Sequence, residues 1–452
     1  MTPDDAAAVV GKLRATYATG RTRALAWRLE QLQGIIRFCE EREKDLERAL
    51  AADLGRTPFE AWLGEVPATL GEARYARKHL ARWMKPTRVG LPLALRPGRA
   101  SIGYEPLGTV LVIGPWNYPV GLCLSPLVGA FAAGNTAVLK PSENAPASSA
   151  LLAEALPTYL DPEAITVVEG DGSVTQRLIE ARVDLVFFTG GTEIGRKIMT
   201  TAAQHLTPVV LELGGKSPVI VTRSADLDVA ARRVANGKLM NSGQVCLAPD
   251  YVLVEESVKE AFVSRLTTAL QQMRAGLPEL QQVVNDRQFQ RLTGLLGSGT
   301  TVLGGEASEQ AVAPTVLLDP APDSPVMAAE IFGPILPVLG VRDLTEAIDV
   351  VNRGEKPLAA YLFSADRREA QRVYDEVPAG AVVVNQTVVH VLAPQLPFGG
   401  VGGSGMGSYH GRWGFEAFSH RKPFVRAGTR PELTLAYPPY SAKAERRLRR
   451  FS

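Results

Sequence analysis

The apolar positions of this chain change rhythm twice. Over residues 1–85 they recur at three- and four-residue spacing among Arg, Glu and Lys, as at Leu29, Leu32, Ile35, Ile36 and Cys39. That spacing predicts amphipathic helices. Residues 86–106 interrupt it with Pro86, Pro92, Pro97 and Gly98, and an extended segment, Ala100–Glu105, follows. From 107 onward, short continuous apolar runs alternate with helix-like stretches. Thr109–Ile113, Thr136–Leu139, Ile165–Val168, Leu185–Thr189 and Pro208–Leu211 are such runs, each closing on a Gly, a Lys-Pro or a Glu. Helices are predicted between them, as at Ala147–Ala155 and Glu193–His205.

A second set begins after Gly215. Its strands are predicted at Val219–Val221, Tyr251–Val254, Thr315–Leu318, Ile335–Val341, Ala359–Phe363 and Ala381–Val384. Its helices are predicted at Leu227–Met240, Glu256–Ala275 and Leu344–Asn352. Continuous apolar strands alternating with helices predict parallel sheets covered on both faces. The fold class is therefore α/β, with two doubly wound parallel-sheet units and a cleft between them. Ligands of such sheets bind beyond the carboxyl ends of the strands. The longest apolar-leaning stretch, near 119–134, is read as broken by Pro126 and Gly129, so no membrane-spanning helix is predicted.

Composition narrows the picture a little. The 452 residues give room for two or three domains, at ~100–200 residues each. An apolar content of 46% supports a large core, and a net charge of +2 gives no reason to expect nucleic acid as a partner. Cys39, Cys123 and Cys246 are too few and too scattered for a disulfide framework, which points to a reducing cytoplasm. His79, His205, His390, His410 and His420 form no close-spaced pair with a cysteine, so no metal site is expected. No apolar leader follows Asp4 and Asp5, and no secretory signal is predicted.

The chemistry gathers around one cysteine. Cys246 ends the run Asn241-Ser242-Gly243-Gln244-Val245-Cys246, and Glu212 lies upstream in Leu211-Glu212-Leu213-Gly214-Gly215-Lys216-Ser217-Pro218. An isolated cysteine is more often a small core residue. A thiol in a small-residue loop, with a carboxylate at a strand end, instead reads as covalent catalysis with a separate base.

Five further motifs accompany that pair. Gly190-Gly191-Thr192-Glu193-Ile194-Gly195 follows an apolar strand and opens a helix, whose free N–H groups suit a phosphate. Lys140-Pro141-Ser142-Glu143 closes another strand and offers two groups to a ribose diol; the Glu143 carboxylate would repel a 2′-phosphate, favouring NAD over NADP. Gly114-Pro115-Trp116-Asn117-Tyr118-Pro119 supplies an Asn amide suited to an oxyanion. Ala329-Glu330-Ile331-Phe332-Gly333-Pro334 adds a second carboxylate beside a ring, and the glycine-rich stretch 396–405 could approach a ligand or pack beneath the site. Each motif alone is compatible with an ordinary turn.

Taken in order and at these separations, the motifs resemble the aldehyde dehydrogenase superfamily from about 100 to 425. The short N-terminal region, the Asn-Tyr-Pro step, Gly407–Gly411 and Phe418-Ser419-His420 are most similar to its class 3 branch, which acts on aromatic and medium- or long-chain aldehydes. The resemblance implies a Rossmann-like NAD(P)-binding domain from 1–85 and 105–212, and a catalytic domain from 213–398. It also implies oligomerisation strands in 86–104 and 420–430, a C-terminal tail from 431–452, and a homodimer.

It further implies roles. Cys246 would be the nucleophile, Asn117 with the Cys246 N–H the oxyanion hole, and Glu212 the general base. Glu330 and Phe332 would serve the nicotinamide riboside, Lys140 and Glu143 the adenosine ribose, and Gly190, Gly191, Thr192 and Gly195 the pyrophosphate. Gly214 and Trp116 would border the cofactor. Tyr118 and Phe398 would line the aldehyde pocket. The thiolate would add to the aldehyde, lose hydride to the cofactor, and leave a thioester that Glu212-activated water hydrolyses. A depressed thiol pKa is expected from the cationic nicotinamide and the loop amides.

Two positions depart from the family pattern: Ala329, where an acidic residue often stands, and Gly403, where Asn is frequent. The competing readings are a CoA-acylating dehydrogenase, a Cys/His hydrolase, and a silent binding protein on the same scaffold. Members of the CoA-acylating kind generally lack a Glu at the position of Glu212. The hydrolase would leave the strand-end motifs idle. Cys39 and Cys123 are read as core residues. The basic C-terminus, with Arg446, Arg447, Arg449 and Arg450, is read as a solvated tail rather than a membrane contact, because no apolar anchor follows it.

Overall fold

The computed structural model describes residues 1–449 except 93, 94, 97, 276–280, 431, 433, 435 and 436. Pro97 of the proline-punctuated stretch and Arg450 of the basic tail lie outside the described residues. The helical N-terminal region consists of Pro3–Ala18, Leu25–Glu41, Glu43–Leu54 and Pro58–Trp83. The last of these starts sharply. Thr57 accepts the Glu60 N–H, Glu60 reaches back to Thr57, and Pro58 takes the first helical position, where no N–H is needed. This helix packs on Gly121–Ala133 and carries Glu65 toward the cleft.

The first sheet has the strand order Gly405–Met406, Val209–Leu213, Leu185–Gly190, Thr109–Ile113, Thr136–Lys140, Ile165–Val167. The last five are parallel, and Gly405–Met406 is antiparallel. Thr109–Ile113 and Thr136–Lys140 are buried throughout, which is why they read as unbroken apolar runs. The chain leaves Thr109–Ile113 in one direction and later returns on its other side, opening a crevice at that switch point.

The second sheet runs Thr300–Leu303, Thr315–Leu318, Ile335–Val341, Tyr251–Glu255, Pro218–Val221, Ala359–Phe363, Ala381–Val384, all parallel except the first. A third, antiparallel sheet joins Thr87–Val89, Gly98–Pro106 and Ser419–Ala427.

Two sequence expectations need correction. Gly121–Ala133 is one buried helix that passes through Pro126 and Gly129. Gly129 is there for contact rather than as a breaker: a Cβ would stand 3.1 Å from Phe418 Cδ2 and from the Gly414 backbone. The strand expected to end before Glu212 runs on to Leu213, so Glu212 lies inside it. Glu212 is held there by pairing with Gly405, contributed by the late glycine loop. Gly405, at φ +144°, would place a Cβ 2.2 Å from Leu211 O, so the edge strand depends on glycine.

Candidate active site

The carboxyl ends of the two parallel sheets face one cavity of 1090 Å³. Cys246, Glu212 and Asn117 line it, with Lys140, Glu143, Gly190, Gly191, Thr192, Gly214, Glu330, Phe332, Trp116, Tyr118 and Phe398. Gly195 does not. It is buried inside the helix Thr192–Ala203, where a Cβ would meet Leu213 Cδ2 at 2.8 Å, so its part is close helix-on-strand packing.

Cys246 is delivered by an unusual turn. Asn241, Ser242 and Gly243 are all left-handed, with φ of 46°, 58° and 71°. Such a run is costly for side-chain-bearing residues, least so for Asn. At Gly243 a Cβ would lie 2.2 Å from Gly333 O, so only glycine brings the Cys246 loop this close to the segment carrying Glu330. The Asn241 amide pins the turn, donating to Asn117 O at 3.0 Å and Gln244 O at 3.1 Å. Gln244 Nε2 donates to Gln282 O at 3.2 Å, and its Oε1 accepts the Val284 N–H at 3.1 Å.

The Cys246 thiol is pushed up to about 12, by burial first and then by Glu330 and Glu212. The depression expected from the sequence belongs to the state with a cationic nicotinamide bound; the rise is the protein's own contribution. The N–H groups of Cys246 and Leu247 do pull downward, but the surrounding protein outweighs them. Cys39 and Cys123 are buried in the core, their thiols also raised by burial.

Glu212 is 3% exposed, and among the described residues neither carboxyl oxygen has a hydrogen-bond partner. Burial alone holds its pKa well above the ordinary carboxylate range. An unpartnered buried carboxyl is expensive, and in a cleft it makes Glu212 a candidate functional group.

Glu330 rests its carboxyl over Gly214, where a Cβ would come 2.0 Å from Oε2. Its pKa is raised to about 8 by burial and Asp250, against the Gly215 N–H, Arg291 and Lys216. Its backbone is clamped from two sides. Lys216 Nζ pairs with Asp250 and donates to Ala329 O at 3.0 Å and Val326 O at 2.9 Å. Asp250 Oδ1 accepts the Ile331 N–H at 2.8 Å, and Arg291 Nη2 donates to Ile331 O at 2.6 Å. At Ala329 the clamp therefore uses the carbonyl, which any residue supplies. Phe332, left-handed at φ 47°, meets Trp116 edge-to-face at 5.3 Å.

Asn117 is buried and donates Nδ2–H to Gln244 O at 2.9 Å, while its own carbonyl accepts from Asn241 and from Arg56. The Arg56 guanidinium also lies 4.4 Å from the centre of the Tyr118 ring. The lining also includes the apolar Leu63, Ala68, Leu122, Val388, Val391 and Leu392, with Thr69 and Glu72 among them. Phe398 is stacked between His390 and His410, which burial pushes down to about 4 and about 3, so both are neutral at physiological pH.

The other half of the cavity suits a dinucleotide. Gly191 caps the helix Thr192–Ala203, and a Cβ there would meet nothing within 4 Å, leaving the helix N-terminus open to a phosphate. Lys140 Nζ and Glu143 Oε2 pair at 2.7 Å beside it. Among the described residues no group of three or more His, Cys, Asp or Glu could hold a metal ion.

Arg56, Asn241, Asp250 and Arg291 had not been singled out from the sequence. Lys216 and Asn241 stood inside quoted motifs, but their partners are remote in the chain, and Arg56 carries no local signal at all.

Two parallel sheets that share one cleft, a strand-end dinucleotide cradle on one side and a cysteine turn on the other, define a dinucleotide-dependent dehydrogenase. The chain matches the aldehyde dehydrogenase family over residues 1–424 and belongs to it. It is an NAD(P)-dependent aldehyde oxidoreductase.

Family 3 relatives are prominent among similar proteins. Aldehyde dehydrogenase family 3 member A2 of Rattus norvegicus is 44% identical, over 96% of this chain and 91% of its own length. The dimeric NADP-preferring aldehyde dehydrogenase of the same animal is 43% identical, over 97% and 98%. Among solved structures, the substrate-bound AldH of Staphylococcus aureus superposes with a TM-score of 0.94 at 41% identity, covering 98% of this chain and 99% of that one. A betaine aldehyde dehydrogenase of the same bacterium in complex with NAD+ gives 0.88 at 27% identity, covering 96% and 92%.

Proposed function

We propose that this enzyme oxidises aromatic or medium- to long-chain aliphatic aldehydes to carboxylic acids through a thioester on Cys246. The thiol gives up its proton to solvent water and Sγ bonds to the carbonyl carbon, whose displaced electron pair becomes an oxyanion. The Asn117 amide and the Cys246 N–H hold that oxyanion. Collapse of the oxyanion expels the aldehyde hydrogen as hydride and leaves the thioester on Cys246; a nicotinamide dinucleotide held by the residues named below would supply the hydride acceptor and a positive charge of the sign that favours the thiolate. Glu212 then takes a proton from water as the water oxygen attacks the thioester, and the carbon–sulfur bond breaks to return the thiolate. The observation that carries this reading is the buried, unpartnered Glu212 carboxyl in the cavity that Cys246 and Asn117 also line.

In this reading residues 1–85 and 105–212 bind the dinucleotide and 213–398 carry the catalysis. Glu330 and Phe332 serve the nicotinamide riboside, and Lys140 with Glu143 the adenosine ribose, which favours NAD with NADP accepted. The apolar residues of the cavity lining support the substrate class. A homodimer through 86–104 and 420–430 is supported by the strand Ser419–Ala427, which among the described residues pairs on one side only and exposes Phe424 and Val425. A cytoplasmic setting is supported by three free cysteines. Among the described residues no helix is long and apolar enough to cross a membrane.

Stopped-flow NADH formation with benzaldehyde and hexanal tests the mechanism. Cys246→Ala is expected to be silent. Glu212→Gln is expected to keep a burst of NADH and lose ~10²–10⁴ in steady turnover. Full activity in Cys246→Ala would overturn the nucleophile assignment.

A further inference from the structure

We propose that Arg56 is a positioning residue for acylation, holding the oxyanion donor and the nucleophile turn in one fixed arrangement. The inference rests on the roles given above to Asn117 and Cys246.

Arg56 is itself fixed at both ends. Before it, Gly55 closes the helix Glu43–Leu54 in a left-handed cap; after it, Thr57 caps Pro58–Trp83. The side chain is 5% exposed and is neutralised by Glu65, with Nη1 3.1 Å from Oε1. The other Glu65 oxygen accepts the N–H of Gly121, at the start of the helix that follows the Asn117 loop. The ion pair is thus anchored to that loop from behind.

The remaining edges of the guanidinium face the site. Nη2 donates to Asn117 O, Nε donates to Asn241 Oδ1 at 3.1 Å, and the plane lies over Tyr118. Asn241 passes the restraint on by donating to Asn117 O and Gln244 O, and Asn117 Nδ2 donates to the same Gln244 O. Arg56, Asn117, Gln244 and Asn241 therefore close a ring of hydrogen bonds. Two residues beyond Gln244 is Cys246.

The ring has a specific task. Asn241, Ser242 and Gly243 are in a backbone conformation that an isolated chain would leave. A planar fork with five donors can hold a carboxylate, a carbonyl and an amide oxygen in three directions at once, and an ammonium cannot reproduce that geometry. A buried ion pair is not by itself a reason for stability, since apolar replacements are often as stable. Its alignment with the two polar elements of the acylation step is what singles it out. Arg56 is not among the cavity-lining residues, so it acts through Asn117 and Asn241.

The test compares wild type, Arg56→Ala, Arg56→Lys, Asn241→Ala and the Arg56→Ala/Asn241→Ala double variant. Circular dichroism establishes folding, and fluorescence titration gives the NAD+ dissociation constant. Stopped-flow gives the NADH burst rate and the hexanal KM, and iodoacetamide reports Cys246 alkylation without cofactor. Arg56→Ala is expected to lose ~10² in burst rate, the scale of a misplaced reacting group. NAD+ affinity and KM should stay near wild type, and alkylation should change. Lysine should restore only part of the rate, and added guanidinium ion at non-denaturing concentration should restore part of it in Arg56→Ala. The double variant should fall no further than the worse single one, as expected for members of one network.

A wild-type burst rate in folded Arg56→Ala overturns the proposal. So does a loss that tracks NAD+ affinity and is not answered by guanidinium, because a merely structural role would give that. If Arg56→Ala does not fold, Arg56→Lys and Asn241→Ala decide by the same criteria. A wild type without a Cys246-dependent burst overturns the parent mechanism and this proposal together, an outcome distinct from a burst that survives the loss of Arg56.

Discussion

The two walls of the cleft are assembled by different means. On the dinucleotide wall, Gly190 and Gly191 stand at the end of the strand Leu185–Gly190, and Lys140 at the end of Thr136–Lys140 finds Glu143 three residues later. On the Cys246 wall, Arg56 reaches Asn117 across 61 residues and Asn241 across 185, and Asn117 reaches Gln244 across 127. The first wall is a local device: a strand ends, the chain turns, a helix begins, and the free N–H groups face outward. The second is a convergence of four distant segments on one left-handed turn. A local device tolerates change at single positions, whereas a convergence fails when any one approach is blocked.

The sharpest way to break the comparison is Gly243→Ala. The new Cβ would strike Gly333 O, and the φ of +71° would penalise it by a further ~1–2 kcal/mol. Cys246 and the Glu330 segment would have to move apart, and an acylation loss of ~10² or more is expected in stopped-flow. A burst close to wild type would show that the turn does not set the thiol's position. Gly191→Ala on the other wall makes the contrast. Its Cβ meets nothing within 4 Å, so the free protein should keep its Tm, and the cost should appear only in NAD+ affinity.

Gly214→Ala comes next, because it acts where the walls meet. The Glu330 carboxyl occupies the space of the new Cβ and must be displaced. A rise of ~10-fold in the NAD+ dissociation constant is expected, about the ~1.4 kcal/mol of one displaced polar contact. Unchanged affinity would remove Glu330 from the cofactor site.

These differences also explain what could be read from the chain alone. The parallel strands of both sheets were legible because their burial on two faces leaves continuous apolar runs. The cavity-lining motifs were legible because they sit where those runs stop. Gly195 looked like part of the same glycine turn, yet it is used for packing against Leu213, a distinction no local pattern carries. Gly129 looked like a breaker because the helix Gly411–Ala417 that it meets lies far along the chain, and Pro126 is carried inside the same buried helix Gly121–Ala133. Glu212 looked like a strand end because its ladder partner, Gly405, lies far along the chain. The clamp on Glu330 and the Arg56 ring were invisible for that reason, and so was the upward push on the thiol from burial and from the Glu330 and Glu212 carboxyls.

That sign has a measurable consequence. With the Cys246 thiol raised to about 12, alkylation by iodoacetamide in the absence of cofactor should climb with pH through 7–10 without a plateau, following the thiolate fraction. Glu330 contributes to the rise only when ionised, and its own pKa is about 8. Below that pH, Glu330→Gln should alkylate at the wild-type rate; above it, the variant should run faster, because the charge opposing the thiolate is gone. Equal rates across the range would mean that Glu330 does not act on the thiol.

The smallest effect is expected on the dinucleotide wall, at Glu143. Lys140 is almost fully buried and Glu143 is about half exposed. Solvent screens such a carboxylate, so its influence on a neighbouring phosphate is worth ~0.2–1 kcal/mol, or roughly 1.5- to 5-fold. Glu143→Gln keeps an oxygen for the Lys140 ammonium while removing the charge that opposes a 2′-phosphate. The ratio of kcat/KM for NADP to that for NAD should therefore rise by a few-fold, with kcat for NAD nearly unchanged because the acylation wall is untouched. If the ratio does not move while NAD affinity also stays constant, the adenosine ribose does not sit at this strand end. A fall in kcat would instead mean that the two walls are coupled, and that the local device is not as self-contained as its contacts make it.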